Sequence, residues 1–127
     1  MVIRLVSKVT LITNSKSIEC NALFDTGATK SFVDANVAEK LDYMKYKESK
    51  TVLLATKDSK AEVIGEVIAR IIIEGVELPL RHVFGVIKNL RHPVIIGMDI
   101  IEPYEIVLDV KEGKVKFRKY PPTMELI

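Results

Sequence analysis

The segment richest in chemistry is Ala22-Leu23-Phe24-Asp25-Thr26-Gly27-Ala28-Thr29, an apolar run that ends in an acid, a hydroxyl and a glycine. A carboxylate at the end of a buried strand is partly desolvated, and it persists there only where hydrogen bonds or a proton-sharing partner compensate. Gly27 permits close backbone approach, which brings its N–H within reach of the Asp25 carboxylate, and the short Thr26 hydroxyl can bond across an interface or to main chain. The plainer reading is a strand-to-turn junction capped by Asp25. His82 and His92 are isolated and lack ligand spacing, and Cys20, the only cysteine, has no His nearby in sequence. No metal site and no thiol nucleophile are therefore expected.

The elements that must position this segment read mostly as strands, because Val, Ile and Thr recur in short runs between turn residues. Residues 2–13 and 18–24 predict two strands joined around Asn14-Ser15-Lys16, with Ile18, Cys20, Ala22 and Phe24 on one face and Glu19 and Asn21 on the other. Between residues 31 and 41 the period changes: Val33, Val37 and Leu41 lie four apart, and Ser31 with Asp34 has capping-box spacing, which predicts the one main helix. Residues 51–55 and 61–74 predict strands flanking a polar hairpin tip at 56–60. Glu74-Gly75 is expected to turn the chain into a strand over 76–86 with Gly85 as a bulge. Residues 94–97 predict a short buried strand, 98–101 a helical turn, and 106–110 with 114–117 a last hairpin across Glu112-Gly113.

Composition bounds the answer. With 127 residues, 48% of them hydrophobic and 28% charged, the chain is expected to form a single globular domain over residues 1–127. Its net charge of +2 is spread along the sequence, which gives no support to nucleic-acid binding. The first eight residues are apolar but broken by charge, unlike a signal or a membrane span. Together with the lone cysteine this leads to the expectation of a cytoplasmic protein without membrane attachment.

Leu23-Phe24 before Asp25-Thr26-Gly27, Ala28-Thr29 after it, and the later Ile95-Ile96-Gly97 with Met98-Asp99 together resemble the retropepsin-like aspartic proteases, the family of retroviral and retrotransposon proteases and their cellular and microbial relatives. The resemblance spans roughly residues 18–117. It implies an all-β, closed or nearly closed acid-protease half-barrel with one main helix and a flap hairpin, working as a two-fold homodimer on peptide or protein substrates. Asp25 would be the catalytic aspartate, Thr26 the residue whose hydroxyl bonds across to the other half of the site, and Gly27 the residue that brings backbone to substrate. Ala28 and the flap-tip residues Thr56, Lys57, Asp58, Ser59, Lys60 and Ala61 would bind substrate, and Ile95, Ile96 and Gly97 would brace the catalytic loop from beneath.

The implied chemistry takes two carboxylates, one acting as base towards water and the other, protonated, polarising the scissile carbonyl. Asp34, Asp42, Asp58, Asp99 and Asp109 are each followed by residues other than Thr-Gly or Ser-Gly, so the second carboxylate would be Asp25 of a partner chain. Such a pair titrates as a unit. The peptide would lie extended against the flaps like an added strand, with no cofactor and no metal. The alternative on the same fold is a non-catalytic dimerisation or peptide-binding module. Three departures from the family pattern stand out: the flap tip is Lys57-Asp58-Ser59-Lys60 rather than glycine-rich, Thr29-Lys30 follow Ala28, and Met98 replaces an arginine after the brace glycine. The apolar ends, 1–6 and 124–127, are candidates for a dimer sheet, whereas Tyr120-Pro121-Pro122 would make the tail from about 118 to 127 a loose peptide; the sequence leaves both open.

Overall fold

The computed structural model describes residues 1–53 and 60–124. Strands β1 (Arg4–Ile12) and β2 (Ser17–Asp25) form an antiparallel hairpin whose register runs from Ile12 opposite Ser17 to Arg4 opposite Asp25. Its tip is closed by the Thr13 N–H donating to the Lys16 carbonyl at 2.9 Å, and Asp42 accepts from the Ser15 N–H at 3.0 Å and the Thr13 hydroxyl at 2.8 Å. Next come β3 (Phe32–Asp34), α1 (Ala35–Ala38), β4 (Met44–Leu53) and β5 (Lys60–Ile73). They are followed by β6 (Val76–Glu77), β7 (His82–Ile87), β8 (Val94–Ile96), α2 (Met98–Ile101), β9 (Ile106–Asp109) and β10 (Lys114–Phe117).

The main sheet runs β1-β2-β8-β3-β7-β5-β4, and β1 also pairs with β5, so the strands from β1 round to β5 close into a barrel. Strand β6 hangs on β5, and β9 with β10 forms a separate two-stranded sheet. Alternation along β1, β2 and β5 turns Val9, Leu11, Ala22, Phe24, Val67, Ile71 and Ile73 inward, where they meet Phe84, Ile96, Ile100 and Tyr104. Fully burying each larger member of that set stabilises the fold by about 1.5–3 kcal/mol.

The expectation of one main helix is corrected. Phe32–Asp34 is a strand wedged between β7 and β8, and α1 is a single turn, no longer than α2. Asp34 is itself the N-cap, accepting from the Asn36 N–H at 2.9 Å, so Ser31 and Asp34 make no capping box. The strand expected over 76–86 breaks at 78–81, where Leu78 is buried and its N–H donates to the Ile71 carbonyl at 2.9 Å. Pro79, which has no N–H for a ladder, follows at once. Gly85 is no bulge either: it pairs in register with Phe32 and Glu66, and a Cβ there would lie 2.8 Å from the Phe32 ring. The irregularity in β5 falls instead between Val63 and Gly65. Residues 44–50 extend β4 beyond the expected strand as an exposed, charge-bearing edge, which suits a strand paired on one side only.

Strands β4 and β5 pair as far as Val52 with Ala61 and Leu53 with Lys60, the stems of the expected flap. Thr56, Lys57, Asp58 and Ser59 lie outside the described residues. At the other end Pro122 is buried and Met124 packs on the chain's own core; residues 125–127 lie outside the described residues. Among the described residues no helix is long and apolar enough to cross a membrane.

One polar contact joins β7 to the turn after α2. His82 Nε2 lies 2.7 Å from the Tyr104 hydroxyl, the rings meeting edge to face, and Tyr104 is fully buried. Burial pushes the His82 imidazole below its ordinary value, with nearby Asp99 opposing. The unfolded chain therefore takes up the proton first as pH falls. The contribution of His82 to stability is complete above the usual imidazole value of about 6.5 and is lost as pH drops below it. His82→Gln is expected to flatten the fall in urea midpoint between about pH 7.5 and pH 5, and an undiminished slope in that variant would contradict this account.

Candidate active site

Asp25 closes β2, and only 6% of it is exposed. Its neighbours explain how a carboxylate survives there. Oδ1 accepts the Gly27 N–H at 2.8 Å, and Oδ2 accepts Arg4 Nε at 3.2 Å. Arg4 and Asp25 are directly opposite in the β1–β2 ladder, so both side chains leave the same face of the hairpin. The Ala28 N–H donates to the Asp25 carbonyl at 3.1 Å, which makes the acid–threonine–glycine stretch a tight turn.

Thr26 is held by the N-terminal segment: its N–H donates to the Ile3 carbonyl at 3.0 Å and its Oγ1 accepts the Ile3 N–H at 2.8 Å. Gly27 is closely approached: a Cβ would sit 3.0 Å from a Val2 methyl and 3.1 Å from Asp25 Oδ1, so a side chain there would make both neighbours give by a few tenths of an ångström. Arg4, Ile3 and Val2 thus contact Asp25, Thr26 and Gly27 in turn.

On its other side the loop rests on β8 and α2. Leu23 and Phe24 pair in parallel with Ile95 and Ile96, as a short apolar run buried between two strands requires. Gly97 then passes so close beneath that a Cβ would lie 2.4 Å from the Lys30 carbonyl oxygen and 2.7 Å from that of Ala28. The Met98 N–H donates to the Ala28 carbonyl at 2.7 Å. Ser31, almost wholly buried, locks the junction: its Oγ accepts the Gly97 N–H at 2.9 Å and donates to Asp99 Oδ1 at 2.7 Å, while its N–H donates to Asp99 Oδ2 at 3.1 Å.

The structure therefore brings Asp25, Thr26, Gly27 and Ala28 together with Ile95, Ile96 and Gly97. Lys60 and Ala61 sit at the start of β5, paired with β4. The other described aspartates have structural partners: Asp34 accepts from Asn36 and Leu90 N–H groups, Asp42 holds the β1–β2 tip, Asp99 holds Ser31, and Asp109 accepts from Glu112 N–H and Lys116. Burial, with Glu19 adding to it, pushes the Cys20 thiol up, away from the thiolate a nucleophile needs. Among the described residues no three His, Cys, Asp or Glu side chains cluster as metal ligands.

Sequence reasoning did not find the parts played by Arg4, Ser31 and Asp99. Ser31 has the Ser-x-x-Asp spacing of a capping box, whereas its partner in the fold, Asp99, is 68 residues away. For Arg4 a signal existed: counting back from the turn at Asn14–Lys16 sets it opposite Asp25.

A closed sheet whose buried strand ends in Asp-Thr-Gly, braced by an apolar-apolar-Gly strand lying parallel to it, defines an acid-protease type of fold. Residues 9–103 match the family described as gag-polyprotein putative aspartyl protease, and the chain belongs to that family. The retroviral protease-like domain of Ddi1 from Leishmania major is similar in structure, with a TM-score of 0.65 and 19% identity over 97% of this chain and 94% of that one. A retropepsin-like aspartic protease from Rickettsia conorii gives a TM-score of 0.50 and 18% identity, with 86% of each chain covered. At these identities the likeness speaks for the retropepsin-like fold. Among curated proteins no match is found.

Removing the Ser31 hydroxyl leaves the Gly97 N–H without its acceptor in a buried site, which costs about 1–3 kcal/mol. Ser31→Ala is therefore expected to lower the unfolding free energy in urea by that amount. A variant as stable as the parent would show that the loop is held by other means.

Proposed function

We propose that residues 1–127 act as one retropepsin-like domain, an aspartic endopeptidase whose water-activating pair is Asp25 of one chain and Asp25 of a second copy. The observation that carries the reading is the placement of Asp25. It is a buried carboxylate at the end of a core strand, inside the family's acid–threonine–glycine loop, with Gly27 donating to it and Gly97 packed close beneath the loop.

One carboxylate cannot be base and acid at once. In the proposed dimer two Asp25 side chains meet at the two-fold axis and share one proton, since like charges so close cannot both stay ionised. The ionised member takes a proton from water as the water oxygen attacks the peptide carbonyl carbon. The protonated member gives its proton to the carbonyl oxygen, and collapse of the tetrahedral species with proton transfer to the amide nitrogen breaks the C–N bond. Thr26 bonds across the axis, Gly27 and Ala28 meet substrate main chain, and residues 56–61 close over it as a flap. Ile95, Ile96 and Gly97 serve as the brace. The lone cysteine and the balanced charge fit a protein working on peptides in a reducing, cytoplasmic setting rather than on nucleic acid.

A second reading, a non-catalytic dimerisation or peptide-binding module, is favoured by one observation: Arg4 holds Asp25 Oδ2, an oxygen that catalysis would need. Exposure to an unbiased peptide library from acidic to neutral pH separates the two. The protease reading expects cleavage that is blocked by a pepstatin-type inhibitor and falls by roughly 10³-fold or more in Asp25→Asn. Equal cleavage by parent and Asp25→Asn would end it, and dimers that cut nothing would put the binding module first.

A further inference from the structure

The residues that contact the acid–threonine–glycine loop from above belong to the chain's own first turnless stretch. Arg4 Nε lies 3.2 Å from Asp25 Oδ2, Ile3 exchanges hydrogen bonds with Thr26 at 2.8 and 3.0 Å, and Val2 methyls sit against Gly27. Three consecutive residues thus cover all three members of the triplet. The Thr26 hydroxyl, which the proposed dimer needs for a bond across the axis, already accepts from Ile3 and lies 3.4 Å from the Ile3 carbonyl.

Arginine has donors and no acceptor, and it keeps its charge at every pH of interest. An Oδ2 engaged by its guanidinium has that lone pair occupied and cannot share a proton with a second carboxylate in the same direction. The contact is open to water on the arginine's side only: the Arg4 side chain is 52% exposed and that of Asp25 9%, so the guanidinium can swing out into solvent while the carboxylate stays in place. Val2 is likewise half exposed, and because the Arg4 main chain stays in β1 opposite Asp25, it is the side chains of this segment that can move aside.

We propose that residues 2–4 are an internal occupant of the half-site, with Arg4 as a latch on Asp25 that a second copy of the chain must displace for the two carboxylates to meet. This rests on the dimeric aspartic-protease reading above. Arg4 is then a gating residue: it opposes assembly of the active pair, and its removal tightens the dimer rather than loosening it.

The test measures self-association by sedimentation velocity for the full chain, for Arg4→Met, for Asp25→Asn and for the double variant, with Arg4→Lys as the charge-retaining control. Two latches open per dimer, each contributing about threefold, so Arg4→Met is expected to lower the dimer dissociation constant roughly tenfold. In the Asp25→Asn background the same substitution is expected to act by less than about twofold, because no charge remains to be latched. Arg4→Lys is expected to stay near the parent. An unchanged or weaker dimer in Arg4→Met, an equal effect in the Asp25→Asn background, or chains that remain monomeric throughout would each overturn the latch. Peptide cleavage read on the same samples keeps the two proposals apart. Tightened dimers that cut nothing would sustain the latch and sink the protease, and cleavage with no effect of Arg4→Met would do the reverse.

Discussion

The close passage of Gly97 beneath the Ala28 and Lys30 carbonyls is the contact on which the candidate site depends. A Cβ at that position would lie 2.4 Å from the Lys30 oxygen, so any other residue would force the loop away from β8. With glycine there, the Met98 N–H reaches the Ala28 carbonyl and the Gly97 N–H reaches Ser31, and the turn that carries Asp25 is fixed from below by main chain. The parallel pairing of β2 with β8 sets the height of this contact, and closure of the barrel between β1 and β5 sets the height of β2. The position of one carboxylate is thereby tied to the core.

The same loop is approached from two directions by different chemistry. From below it meets glycine and a buried serine, which is held in turn by the half-buried Asp99. From above it meets Val2, Ile3 and a half-exposed Arg4, where the bonds to Thr26 and Asp25 compete with solvent. The loop is thus fixed by main chain on one side and faces partly exposed side chains on the other.

Much of this was legible in the sequence. Alternating apolar residues placed β1, β2 and β5 with small errors at their ends, and the apolar run ending in Gly97 was readable as a buried strand, because period and turn residues are local signals. The resemblance implies that Ile95-Ile96-Gly97 lies beneath the Asp-Thr-Gly loop, and the parallel pairing of Leu23 and Phe24 with Ile95 and Ile96 sets the two side by side. What failed depended on distant partners. Val33, Val37 and Leu41 have helical spacing, yet Val33 is drawn into a strand by pairing with β7 and β8, and only one helical turn remains. Ser31 looked like a cap because its partner Asp99 lies far along the chain. The polar run at 44–50 carries no apolar alternation, since an edge strand outside the closed barrel has no face to bury.

The central claim is that two copies of Asp25 act as a single acid–base pair. A covalently linked two-copy chain in which only one copy carries Asp25→Asn tests it most directly, with turnover of a cleavable peptide as the readout. The account predicts that one asparagine silences the linked dimer as thoroughly as two, a loss of roughly 10³-fold or more. Retention of about half the activity, as two independent sites would give, would contradict it.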